Sequence, residues 1–249
     1  MAHSGKRIGG ATAAVATVSA GLLLSGCVTT QQLAARARLM DARIRASQDP
    51  LRVGDLNPEV RVAGLSVVRA RRGTAIVAEL RNASSHPLTD LPVEIGITTP
   101  AGRRLYLNRA GDTDYFDTHV VAIPARAIVT WVFTSRRRLE AGAPFANVGT
   151  ADLSQPEVQK LPQIQVKPAT NASATGGPTL SLSVADLSAI PQYSLPVYAV
   201  ATRDGRVFAA GRATVGHLGT HSNGRVRLTL LGNESRAAVQ LSALPTIFQ

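Results

Sequence analysis

Few side chains that carry enzyme chemistry are present, and none stands in a catalytic pattern. The histidines are His3, His86, His119, His217 and His221, and the single thiol is Cys27. Catalysis needs a nucleophile with a base, a paired acid and base, or converging metal ligands. No HExxH, GxSxG or phosphate-loop pattern occurs, so no catalytic residue and no cofactor is expected. One segment concentrates carboxylates, Gly111-Asp-Thr-Asp-Tyr-Phe-Asp-Thr-His119. Asp112, Asp114 and Asp117 are hard oxygen donors of the kind Ca²⁺ takes, but the run lacks the glycine and distal glutamate of an EF-hand. A polar loop between strands is therefore the plainer expectation, with Ca²⁺ as the weaker one. Tyr115 and Phe116 within it read as core residues, a docking tip being the alternative. What remains is anion recognition by guanidinium groups, which bind carboxylate and phosphate bidentately. Arg71-Arg72, Arg103-Arg104 and Arg136-Arg137-Arg138 are the candidates, placed at strand ends or turns. Charge for solubility is the bland reading of them; contact with an anionic wall polymer or phospholipid is the sharper one.

The elements that position these residues follow from composition and pattern. The chain has 249 residues, a formal charge of +11, 45% hydrophobic residues and 4% aromatic ones. That is enough apolar mass for a core in one large domain or two small ones. A lone cysteine excludes an internal disulfide framework. Of the 27 basic residues only Lys6, Lys160 and Lys167 are lysine. Nucleic-acid recognition needs a concentrated basic face. So strong an excess of arginine over lysine reflects a GC-rich genome more than a binding face, and the N-terminal residues point away from nucleic acid as well, so no such partner is expected.

The first residues read as an export signal: Lys6-Arg7, then residues 8–24 without a charge, then small residues before a cut. They close on Leu24-Ser25-Gly26-Cys27, which resembles the lipobox of bacterial lipoproteins. The resemblance implies cleavage before Cys27, a diacylglycerol on its thiol and an acylated amino group. The mature chain would be held on the cell membrane with its domains outside. Two or more acyl chains anchor a protein stably. Losing Lys6 and Arg7 lowers the formal charge by two, to +9. General secretory and twin-arginine export both stay open.

Residues 27–56 read as lipid anchor and basic tether. Over 31–48, Leu33, Ala37, Met40 and Ile44 recur on one helical face, with Arg36, Arg38, Arg43 and Arg45 around it. Beside a lipid anchor such a helix is suited to anionic headgroups; packing on the first domain, or acting as a spacer, are the alternatives.

The remainder is written twice at an offset of 104 residues. Asn57-Pro-Glu-Val-Arg-Val62 meets Leu161-Pro-Gln-Ile-Gln-Val166, and Asn82, Ser84 and Pro87 meet Asp186, Ser188 and Pro191. Leu91-Pro92-Val93 meets Leu195-Pro196-Val197. Two units make a tandem duplication, not a solenoid. Short alternating runs predict strands over 59–62, 74–80, 92–98, 103–107, 128–133 and 145–148. In the second copy they fall over 179–184, 196–201, 206–210, 225–230 and 237–241. The expected fold is all-β: two tandem immunoglobulin-like sandwiches, 57–150 and 161–249, joined by a linker over 151–160. A second irregular stretch, 168–178, is expected as a loop inside the second copy. Trp131 falls mid-strand, as a core anchor would.

Residues 78–105 of the first copy run strand, Asn82-Ala-Ser84 turn, Pro87-Leu88, strand, then a Pro100-Ala-Gly102 hairpin. This pattern resembles the FxLYD-like domains of bacterial surface lipoproteins. Glu94-Ile95-Gly96-Ile97 and Tyr198-Ala199-Val200 replace the aromatic run that names them. The resemblance implies an envelope sandwich without catalytic residues. The functional expectation is thus a non-enzymatic, lipid-anchored protein-interaction or scaffold module with an envelope protein as partner. Binding of an anionic wall polymer or glycan through arginine is the alternative.

Overall fold

Short β-branched and alanine-rich runs broken by Gly, Pro and Asn turns fold here almost entirely as strands. The computed structural model describes residues 30–48, 51–109, 113–139, 141–151, 160–169 and 179–248. The signal over 1–26, Cys27, Asp112 and all but the ends of the expected 151–160 linker lie outside the described residues. So does most of the loop expected over 168–178.

The first copy follows helix α1 (Thr30–Gln48). It comprises β1 (Val60–Ala70), β2 (Gly73–Asn82), β3 (Leu88–Thr98), β4 (Arg104–Tyr106), α2 (Tyr115–Thr118), β5 (His119–Ile123), β6 (Ile128–Ser135) and β7 (Ala143–Val148). The second comprises β8 (Ile164–Pro168), β9 (Thr179–Asp186), β10 (Gln192–Arg203), β11 (Arg206–Leu218), β12 (Asn223–Thr229), β13 (Leu231–Gly232) and β14 (Ala238–Ala243). In each copy a three-stranded sheet, β1-β2-β6 or β8-β9-β12, faces a sheet built on β3 or β10, and all pairings are antiparallel. The fold is all-β sandwich. Among the described residues no helix is long and apolar enough to cross a membrane.

The offset of 104 is visible in atomic detail. Asn82 Oδ1 accepts hydrogen bonds from Ser84 N and Oγ at 2.8 and 2.7 Å. Asp186 Oδ1 accepts them from Ser188 N and Oγ at the same two distances. Each is an Asx turn, which the repeated x-Ser spacing encodes. The shared Leu-Pro-Val also has a structural reason. Val93 is the first residue of β3 to pair with β7, and Val197 the first of β10 to pair with β14. Pro92 and Pro196 stand one residue earlier, where no ladder donor is required.

The copies differ most on one edge. In the second, β11 pairs with β10 along its whole length, Gln192↔Leu218 to Arg203↔Arg206. In the first the same edge is divided between β4 and β5, with residues 107–118 inserted between them. The acidic segment is thus an insertion into a repeated strand, which is why the strand reading of 103–107 stops short and β5 is absent from it.

The sandwiches share a core. Along β10, Val197, Ala199 and Ala201 face the second sandwich's own interior, while Tyr198 and Val200 join the core of the first copy with Ala210, Leu244 and Ile247. The β10–β11 sheet therefore lies against β1-β2-β6, giving four stacked layers. Burial on both faces is why Ala75, Ile76, Val77 and Ala78 of β2 are buried in succession, without the alternation of a half-exposed strand. Trp131 is fully buried, its Nε1 donating to the Phe116 carbonyl at 3.2 Å.

Helix α1 packs through a different face from the stripe its large apolar residues form. It packs through Gln32, Ala35, Leu39 and Ala42, not through Leu33, Met40 and Ile44, which stay 50–54% exposed. Small side chains let the helix approach closely. Gln32 Nε2 donates to the Ala189 carbonyl at 3.4 Å, Arg43 donates to Ser194 Oγ at 2.7 Å, and Arg36 covers the Tyr193 ring at 4.3 Å.

Candidate functional site

Charged side chains gather at two places, and both arise from elements distant in sequence. The first is the junction of α1, the insertion and β11. Asp117 Oδ1 lies 2.8 Å from Arg212 of the second copy, and Asp114 lies 3.7 Å from Arg212 and 3.9 Å from Arg43. The short Asp117–Arg212 approach is off the line of a hydrogen bond, so the two atoms interact as charges. Burial, the largest influence, raises the Asp117 carboxyl above the usual range; Arg212 opposes this and Asp114 adds to it.

Around this junction Tyr115 and Phe116 are buried, as the core reading expected. The Tyr115 hydroxyl donates to Asp90, and burial followed by that neighbouring carboxylate raises its pKa well above the ordinary value. His119 stacks on the Tyr115 ring at 4.5 Å, and burial lowers its pKa. Asp114 and Asp117 thus face arginines. Asp112 lies outside the described residues. Among the described residues no three His, Cys, Asp or Glu side chains converge as metal ligands. His86 faces Glu59 at 3.8 Å, and His217 tilts over Tyr193 at 4.7 Å.

The second place is one end of the first sandwich. The β1–β2 turn carries Arg71 and Arg72, β6 runs into Arg136-Arg137-Arg138, and Thr74↔Ser135 pairing sets these ends side by side. Gly73, at φ +146°, holds the turn there: a side chain would meet the Ser135 carbonyl at 2.2 Å. The β3–β4 hairpin, with Arg103 and Arg104, ends at the same level of the facing sheet, where Thr98 pairs with both Arg104 and Ala143. Arg69 ties the sheets together by donating to the Gly142 carbonyl at 3.0 Å. All seven candidate arginines are exposed, and the fold collects them at one pole. Glu140 is the sole acidic residue of the sequence over 66–76, 96–106 and 133–145.

Against this pole opens a cleft of about 420 Å³ between the copies. Arg69, Arg71 and Arg72 form one wall, and Phe208, Leu231 and Asn233 the other. Arg203 lies over the Phe208 ring at 4.1 Å. Such a cleft offers guanidinium groups beside an apolar floor, which suits an anion carrying an apolar or sugar body. A second groove, about 320 Å³, runs between the edge strands β6 and β14 and the start of the second copy. Ile128, Leu161, Pro162, Ile164, Leu244 and Pro245 are among its lining.

No family model matches the chain, and no curated protein matches it. Among solved structures, red sea bream transglutaminase is similar at 13% identity with a TM-score of 0.21, over 78% of this chain and 31% of that one. A score so low carries no functional argument.

Sequence reasoning missed Arg69, Arg203, Phe208 and Arg212, and named Arg43 only as part of the basic tether. Arg69 had a signal, standing two residues before Arg71 on the same hairpin. Arg203 and Phe208 stand five residues apart on the β10–β11 hairpin and are stacked by its register, while Arg43 and Arg212 reach Asp114 and Asp117 from elements far away in sequence.

Proposed function

We propose that this chain is a lipid-anchored cell-envelope protein whose fused sandwiches form a non-catalytic binding module at the outer face of the cytoplasmic membrane. Its partner is an envelope protein. The observation that carries the partner reading is the groove between β6 and β14. Its lining is largely apolar, Ile128 is 53% exposed on its rim, and both bounding strands pair on one side only. An open edge beside apolar pockets suits an extended segment of a second protein, which adds main-chain hydrogen bonds to the sheet. The anchor reading rests on Leu24-Ser25-Gly26-Cys27. It is supported by the docking of α1, which begins three residues beyond Cys27 and is tied to the second copy through Arg43 and Ser194. The test is photo-cross-linking in the native membrane from position 128, with exposed Arg227 on β12 as the comparison site. One protein captured reproducibly from 128 and not from 227 is the expected result. Capture of nothing, or of the same mixture from both, would contradict it.

The arginine pole favours a second reading, an anionic wall polymer held by the seven arginines and the adjoining cleft. Phosphate contacts of this kind release counterions, so affinity for inorganic polyphosphate should fall at least tenfold between roughly 50 and 200 mM salt. Arg71→Glu with Arg137→Glu should abolish it, while Arg225→Glu with Arg227→Glu should not. A flat salt response sinks this reading.

A further inference from the structure

Two faces of helix α1 are apolar, and the body of the protein uses only one. Gln32, Ala35, Leu39 and Ala42 pack inward. Leu33, Met40 and Ile44 lie within about 40° of one another on the helix and about 140° from the packed face. All three are half-exposed, and Ala37 completes their stripe. Large aliphatic side chains left in water this way, on a helix that already has a packing face, mark a surface for something else.

We infer that this stripe lies in the headgroup–acyl boundary of an anionic bilayer, with α1 flat between the membrane and the sandwiches. The inference rests on the lipid-anchor reading. Three observations favour a bilayer over a protein. Thr30 stands three residues along the chain from Cys27, a span of at most about 11 Å when extended, so an acylated Cys27 keeps the helix at the lipid surface. The stripe runs about 17 Å, from Leu33 to Ile44, along the helix axis. Arginines border it, Arg36 and Arg43 within about 60–80° on one side and Arg45 further round on the other, with Asp41, which pairs with Arg45, the lone acid of the helix. Apolar residues on one face beside arginine are the pattern of a helix that lies on a membrane rather than across it.

The arrangement also orients the molecule. Helix α1 docks at the Ser194 and His217 end of the β10–β11 hairpin, and the arginine-lined cleft opens at its Phe208 end. Nine residues of strand separate these ends, about 30 Å. The helix and the arginine pole therefore belong to opposite ends of the protein.

The test places a nitroxide on the lipidated protein at Met40→Cys, and in a second preparation at Arg38→Cys, the native thiol being blocked by its lipid. Both are measured on vesicles of phosphatidylglycerol and phosphatidylcholine. The expected result is several-fold greater collision with oxygen and several-fold less with an aqueous nickel chelate at position 40 than at 38. Equal accessibility at the two positions, with the protein still bound to the vesicles, overturns the helix inference and leaves the anchor standing. Protein that fails to stay with the vesicles overturns both.

Discussion

Asp90 and Ser194, 104 residues apart, share one unusual backbone state, φ +53° and +52° in the middle of a strand. The register of each ladder continues past them unchanged, with that one pair left unbridged. Both side chains are used at the junction: Asp90 accepts from the Tyr115 hydroxyl and Ser194 from Arg43. The left-handed region costs a non-glycine residue about 1–2 kcal/mol, so the contacts must hold it in place.

Ser194→Gly should therefore be nearly neutral. It removes the Arg43 hydrogen bond, worth about 1 kcal/mol, but also relieves the backbone. Ser194→Val should cost about 2 kcal/mol or more, because a β-branched side chain fits that φ worst. Urea unfolding of the two variants separates the outcomes; equal losses would show that the backbone state carries no cost.

Asp117 and Arg212 join the copies through a pair that is largely out of solvent, 16% and 11% exposed. Arg212→Ala should cost about 3 kcal/mol, since it leaves a buried carboxylate short of its partner. Asp117→Leu combined with Arg212→Met should recover most of that loss. Chemical denaturation of the single and double variants makes the comparison, and an uncorrected double variant would argue that the pair is worth more than its burial costs.

Asp186 repeats the Asx turn of Asn82 but not its other half. Asn82 Nδ2 donates to the His86 and Ile123 carbonyls at 2.8 and 3.2 Å. The second oxygen of Asp186 is buried and has no hydrogen-bond partner among the described residues. Asp186→Asn puts a donor where the first copy has one and should stabilise by about 1 kcal/mol. A lower melting temperature would count against the equivalence of the two turns.

Periodicity and turn residues made the sandwich legible. Alternation marked the strands, Asn-x-Ser and Asp-x-Ser marked equivalent turns, and Leu-Pro-Val marked the step where β3 and β10 change neighbours. Spacing marked the exposed apolar stripe of α1 but not its packed face, because Ala35 and Ala42 pack by being small. The acidic run read as a polar loop, with Ca²⁺ the weaker alternative, because Arg43 and Arg212 come to it from elements far along the chain. The arginine pole was invisible for the same reason, its members being spread from residue 69 to 138 and joined only by strand register.

His119 sets an acid limb to stability. Burial lowers its pKa below the ordinary 6.5, so the folded protein favours the neutral ring. That stability is fully present above about 6.5 and is lost as the pH falls toward the folded value, because the unfolded chain takes up the proton first. Asp117, raised by burial, works with the opposite sign at lower pH, where protonation relieves it. His119→Gln should flatten the fall in melting temperature between about pH 6.5 and 5. An unchanged slope would assign it to other groups.

Everything proposed about location turns on Cys27. The direct measurement is the intact mass of the mature protein isolated from its native membrane, with fragmentation of the N-terminal peptide. A chain that begins at Cys27 and carries a diacylglycerol on its thiol is the predicted result. A chain that still begins at Met1, or an unmodified cysteine on a protein found in the soluble fraction, would contradict it.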